Sequence, residues 1–166
     1  MLNKYINVRR MLIVINIDEY SLNNVIIHES VRNTIKQGCS FMKVNYSTNK
    51  LVLNGIYLNM ILSNIDIKEC NDSTCRIKIN TKEQNELISK IVEIEDKILN
   101  HACHKKTKIT SIANEILRNG SIKPYHNKKI QYGFHIRIEC ILRIYGVWYD
   151  DKRCGLNYQI IINKSI

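Results

Sequence analysis

From Phe134 to Tyr149 the chain alternates with a two-residue period. Phe134, Ile136, Ile138, Cys140, Leu142, Ile144, Gly146 and Trp148 fall on one side; His135, Arg137, Glu139, Ile141, Arg143, Tyr145, Val147 and Tyr149 fall on the other. Successive side chains of a strand point to opposite faces, so the pattern predicts one apolar face and one face of mixed cations and aromatics. At about 3.3 Å per residue this strand is roughly 50 Å long, a length that suits the wall of a small curled barrel. On this parity Trp148 faces the core beside Gly146 and serves as a barrel plug in preference to a stacking platform. A turn at Asp150-Asp151-Lys152-Arg153 leads into a final strand, Gly155–Ile162, in which Leu156, Tyr158, Ile160 and Ile162 alternate with Asn157, Gln159 and Ile161.

Upstream, the β-branched run Arg10–Asp18 predicts a strand buried on both faces, and Asn24–His28 a shorter one. Cys39–Tyr46 and Lys50–Leu62 flank the polar connection Ser47-Thr48-Asn49 and are expected to form a hairpin, with a bulge or bend where Asn54-Gly55 interrupts the second arm. Arg76–Asn80 follows a turn at Asn71-Asp72-Ser73. The period then changes. Thr81 and Gln84 have the spacing of a capping box and open a helix over Lys82–Asn100 with an apolar stripe of Leu87, Ile91, Ile94 and Ile98, widened by Ile88, Val92 and Leu99. Glu93, Glu95 and Asp96 are expected on its solvated face, paired with Lys90 and Lys97. A shorter helix over Ser111–Arg118 turns Ile112, Ile116 and Leu117 inward and stops at Gly120; the lone Pro124 precedes the long strand. No linker or repeat divides the chain, so residues 1–166 are expected to form a single domain. Several strands, one long and one short helix and a terminal β-hairpin give a β-rich fold in the order of the OB-fold, a five-stranded Greek-key barrel, with the N-terminal strands as an elaboration.

Charge narrows the class of partner. Twenty-five Lys and Arg against fifteen Asp and Glu leave a net +10, a field that favours polyanions, nucleic acid above all or an anionic membrane surface. Asn, Ile, Lys and Tyr, all with AT-rich codons, dominate the composition, which fits the genome of a virus, a parasite or a linear plasmid. Six cysteines (39, 70, 75, 103, 140 and 154) accompany no signal peptide in Met1–Arg10 and no apolar run near the ~20 residues of a membrane span. With Cys140 on the core face as a small hydrophobe, a reducing compartment such as a host nucleus or cytoplasm is expected.

The strongest constellation is basic and aromatic. Arg137, Arg143, Tyr145 and Tyr149 lie on the polar side of the long strand, and Phe41, Lys43 and Asn45 share one face of the preceding hairpin, opposite Met42, Val44 and Tyr46. An aromatic on a polar face, as Phe41 is, offers a surface for a base, and the cations meet phosphate; the alternative is that these rings pack under a helix or a partner subunit. His101-Ala102-Cys103-His104 with Cys70 and Cys75 is the one metal-like set, but its spacing matches no zinc pattern and Lys105-Lys106 opposes a cation, so a surface loop is expected. His28, His126 and His135 are isolated. No phosphate loop, GxSxG or HExxH occurs, and Asp150-Asp151 reads as a solvated hairpin tip; no enzymatic activity and no cofactor are expected.

Leu142–Ile160, LRIYGVWYDDKRCGLNYQI, resembles a pattern in replication-linked single-stranded DNA-binding proteins of large DNA viruses and related elements, themselves similar to the phage-type proteins. The matching positions are Leu142, Ile144, Gly146, Val147, Trp148, Gly155, Leu156 and Tyr158, with Asn54–Leu58 (NGIYL) as a weaker match. The resemblance implies one OB-fold with an aromatic–basic groove. Phage and bacterial members commonly end in an acidic tail that recruits partners; this chain ends Ile-Asn-Lys-Ser-Ile, so tail-mediated recruitment is not expected. The expectation is therefore a coat protein for single-stranded DNA with little sequence preference. Lys43, Lys50, Arg137, Arg143, Lys152 and Arg153 would meet phosphate, and Phe41, Tyr57, Tyr145 and Tyr149 would stack on bases. The alternative is a viral assembly protein that self-associates through Ile141, Val147 and Ile161, exposed on nominally polar faces, with its basic charge neutralising nucleic acid. RNA is the other candidate ligand.

Overall fold

The computed structural model describes residues 13–34, 37–70, 74–103, 105–109, 111–125 and 132–165. The start of the Arg10–Asp18 run, the expected turn at 71–73, His104 and His126 lie outside them. The elements are β1 (Ile15–Asn16), β2 (Val25–Arg32), β3 (Ser40–Ser47), β4 (Val52–Leu53), β5 (Ile56–Cys70), β6 (Cys75–Lys78), α1 (Asn85–Cys103), β7 (Thr107–Ile109), α2 (Ser111–Asn119), β8 (Ser121–Ile122), β9 (Gly133–Tyr149) and β10 (Arg153–Ser165). The fold is β-rich, as the alternation predicts.

The strands form one largely antiparallel sheet in the order β2-β3-β9-β5-β6-β8, with β10 along the other edge of β9 and β7 beside β10. β9 is its axis. It pairs with β10 over Ile138–Tyr149, and its opposite edge is shared by β5, from Gly133 to Ile144, and β3, from Gly146 to Tyr149. The sheet is open; the expected five-stranded barrel is not closed by its ladder. Between β10 and the β6 side stand only single-residue bridges at Tyr125, to Thr74 and to Ile161, among the described residues. The preceding Pro124 has no N–H to extend a ladder and contributes its carbonyl alone, to the Cys75 N–H at 3.1 Å.

The core lies between the sheet and the two helices. Ile88, Ile91, Ile94, Ile98 and Leu99 of α1 and Ile112 and Ile116 of α2 pack on Leu58, Met60, Leu62, Ile77, Ile122, Ile138, Cys140, Leu142, Ile144 and Ile160. No helix among the described residues is long and apolar enough to cross a membrane.

Several local expectations are corrected. Among its described residues the Arg10–Asp18 run is a strand only at Ile15–Asn16, parallel to Leu58–Asn59, and Ile13 is exposed; the Asn16 side chain accepts the Asp18 N–H at 3.2 Å and turns the chain into a 3₁₀ helix. Lys50–Leu62 is two strands. β4 finishes the hairpin with β3, whereas β5 leaves to pair with β9, and the break is at Gly55, whose φ of +118° suits glycine and whose Cβ would lie 2.9 Å from the Ile144 carbonyl oxygen. The helix starts at Asn85, not Lys82, because Asn80 caps a preceding turn through the Lys82 N–H, and Gln84, buried, donates to the Ser63 carbonyl at 2.8 Å. Glu95 is not on a solvated face: it is fully buried and accepts the backbone N–H groups of Ile112 (3.3 Å) and Ala113 (3.0 Å), holding the start of α2. A carboxylate on those unpaired first-turn donors is the favourable end of a helix for negative charge.

Candidate nucleic-acid interface

Two interruptions in the pleat decide which side chains reach the open face. In β5, Met60 and Leu62 are buried at even positions and Ile65 and Ile67 at odd ones; the reversal falls at Asn64, whose φ is +49°. In β9, Ile138, Cys140, Leu142 and Ile144 are buried as the alternation predicts. The register with β10 then slips: Tyr158 opposes Ile144 while Asn157 opposes Gly146, leaving Tyr145 as an extra residue. Beyond such a bulge the two faces exchange. Val147 is fully buried, and Trp148 turns outward and is half-buried, the reverse of the expected plug. Ile141 is buried too, and Ile161 half-buried, so two of the three residues expected to offer an assembly surface do not.

The outward face that results carries its rings on glycines. Phe41 stands opposite Trp148 in register. A Cβ at Gly146 would lie 2.1 Å from Phe41 Cε2, and one at Gly155 would lie 2.8 Å from Trp148 Cζ2 and Nε1, so each ring lies over a glycine backbone. Without a Cβ beneath them the rings sit close on the sheet. Val31, Phe41, Trp148 and Gly155 thus form one row across β2, β3, β9 and β10.

The cations stand in the adjoining rows. Lys43 is exposed opposite Gly146, with Asn157 on the far side. Arg143 pairs in register with Tyr57 and Gln159, and its guanidinium carbon lies 5.4 Å from the Tyr57 ring centroid and 5.2 Å from that of Tyr145. Its Nε is buried without a hydrogen-bond partner, and no carboxylate pairs with it among the described residues. A guanidinium held between two rings is oriented without being neutralised.

The remaining expected residues lie elsewhere. Tyr149, one past Trp148, points to the other face, packs against the core, shares a 2.6 Å hydrogen bond with the Ser30 hydroxyl, and has the Lys106 ammonium 4.9 Å from its ring. Arg137 is exposed six residues from Arg143, roughly 20 Å along the strand. Lys50 is exposed at the β3–β4 hairpin tip and Lys152 at the β9–β10 turn. Arg153 is engaged by Asp150, with Nη2 2.7 Å and Nε 3.0 Å from its carboxylate. That contact, with the Arg153 and Lys152 N–H groups, holds the Asp150 carboxyl down at about 2, so this residue organises the turn.

Asn54–Leu58 contributes Tyr57 to the face. Among the residues of the Leu142–Ile160 pattern, Gly146, Trp148 and Gly155 build it, and Leu142, Ile144, Val147 and Leu156 lie in the core. Sequence reasoning missed Trp148 and Val31; an isolated glycine inside the alternation, Gly146, was the available signal for a bulge.

The cysteines do not assemble a metal cluster among the described residues. Cys75 and Cys140 are both buried in the core, and Cys103 is hydrogen-bonded to Cys154. Burial pushes the Cys140 and Cys154 thiols up to about 12. No protein-family model matches the chain, and neither a curated protein nor a solved structure matches it at a significant level.

Proposed function

We propose that the face formed by Phe41, Lys43, Tyr57, Arg143, Tyr145 and Trp148 binds single-stranded DNA with little sequence preference, as a coat during replication or recombination of a viral or mobile-element genome. The observation that carries this reading is Arg143, an unneutralised cation between two tyrosines beside a row of outward rings seated on glycines. Each ring that stacks on a base contributes about 1–3 kcal/mol whatever the base, and each cation on phosphate adds a salt-dependent share. The net charge of +10 favours the same partner. We further read the fold as OB-fold-like: β5, β9 and β10 supply its long strands, the helices enter between β6 and β9, and the Tyr125 bridges stand where a barrel would close.

The test is fluorescence anisotropy with labelled oligo-dT, a matched duplex and matched RNA at low and moderate salt. The reading requires tight, salt-sensitive binding that prefers single-stranded DNA; a preference for RNA would reassign the ligand, and equal weak binding to all three would refute it. Arg143→Ala should weaken binding to all sequences alike and flatten the salt slope by about one. A second reading, a self-assembling structural protein, is favoured by the exposed Tyr132, Phe134 and Ile136 at the start of β9, and it becomes the leading one if all three ligands bind weakly.

A further inference from the structure

We infer that β2 is a homotypic edge through which two copies of this chain pair antiparallel, independently of any nucleic acid. β2 pairs with β3 on one side, and no strand occupies its other edge among the described residues, which leaves a row of backbone donors and acceptors open. Such edges are commonly blunted by charged side chains, proline, bulges or a covering element. This one is self-complementary. Antiparallel pairing about the midpoint between His28 and Glu29 sets each His28 opposite the partner copy's glutamate, and each Ile26 opposite the partner copy's valine from position 31. Ile26 is 44% exposed and Val31 58% exposed, and neither His28 nor Glu29 has a side-chain partner among the described residues.

The geometry of β2 is compatible with the same pairing. Ile27 opposes Val44 and Ser30 opposes Met42, so one extra residue is accommodated between them, and this bulge places Ile26 and Val31 on the same face. That face is the one that carries Phe41, which opposes Val31. Joining two copies along β2 therefore continues the row Trp148–Phe41–Val31 into the partner's Ile26 and makes one sheet face of two.

Sedimentation velocity on the full chain over a wide range of concentration tests the inference without nucleic acid, so its failure is distinguishable from failure of DNA binding. The expected result is a concentration-dependent dimer. Val31→Lys should weaken it about tenfold or more. His28→Glu, which opposes like charges at both central positions, should do the same, and adding Glu29→Lys should restore it. These side chains are exposed, so the variants should keep the circular dichroism and melting of the parent, and the charge-swap rescue is a readout that misfolding does not mimic. A monomer at every concentration, a dimer indifferent to Val31→Lys, or a double variant that fails to recover would overturn the inference.

Discussion

Gly155→Ala isolates the seat of Trp148. The backbone there is not in the left-handed region, so alanine is allowed by conformation, and the substitution should gain about 0.4–1 kcal/mol through the unfolded chain. Against this, the new Cβ would stand 2.8 Å from Cζ2 and Nε1 of the indole and 2.9 Å from Cε2. Carbon atoms rest at about 3.5–4.0 Å, so the ring must withdraw by roughly 1 Å and lose contacts worth about 0.1–0.2 kcal/mol each, about 1–2 kcal/mol over the ring. The two terms partly offset, leaving a net loss between about 0 and 1.6 kcal/mol, and Tm should fall by no more than about 6 °C. The environment of the indole should change much more. Trp148 is the sole tryptophan, so emission maximum and acrylamide quenching report it alone; emission should shift to the red and quenching should rise. Anisotropy on the same sample should show an oligo-dT affinity lower by about 5- to 100-fold, the share of one stacking ring. Unchanged emission and quenching would mean that the indole is not seated on Gly155. A changed emission with unchanged affinity would remove Trp148 from the binding face.

Two further predictions concern the frame around that face. Glu95→Ala leaves the Ile112 and Ala113 N–H groups buried without their charged acceptor and should cost about 2–4 kcal/mol, a Tm lower by about 5–15 °C by circular dichroism, with Glu95→Gln between; a parental Tm for the alanine variant would sink the account. Asp150 is depressed to about 2 when folded, from about 3.9 in an unfolded chain, so its contribution is complete above pH 4 and is lost as pH falls towards 2. Carbon-detected NMR should place its titration near 2, and the loss of stability between pH 4 and 2 should be smaller in Asp150→Asn; a carboxyl titrating at its ordinary value would count against the turn as described.

In the middle of β9 parity was a good guide: Ile138, Cys140, Leu142 and Ile144 are inward, α1 buries the stripe read from its period, and Gly55 bends the chain where Asn54-Gly55 predicted. It failed at the start of the strand, where Phe134 and Ile136 of the expected apolar face are exposed, and at Ile141, which is buried on the expected polar one. Phe41, Lys43, Tyr57, Arg143 and Tyr145 lie on one face of the sheet, whereas Tyr149 of the same set packs against the core on the other. Parity cannot register an inserted residue, however, and Tyr145 is one; from there on, Val147, Trp148 and Tyr149 all point opposite to the expectation. Glu95 failed for a different reason. A carboxylate flanked by Glu93 and Asp96 looks solvated until a second helix presents its N–H groups to it, and that contact joins residues 17 and 18 positions apart. The split of Lys50–Leu62 into β4 and β5 is likewise tertiary, since it is β9 that supplies the partner for Ile56 onward.

The bulge at Tyr145 also has a consequence for how such a surface arises. All that distinguishes a buried indole from an outward one here is whether the ladder contains one residue more on β9 than on β10. Inserting a single codon in β10 opposite Tyr145 would pair the extra residue, return Trp148 to the interior and bring Val147 out, with composition and charge almost untouched. Recognition on a long strand is thus open to gain or loss by insertion and deletion as well as by substitution, and the glycines opposite the rings are what let the shifted frame accept large side chains at once.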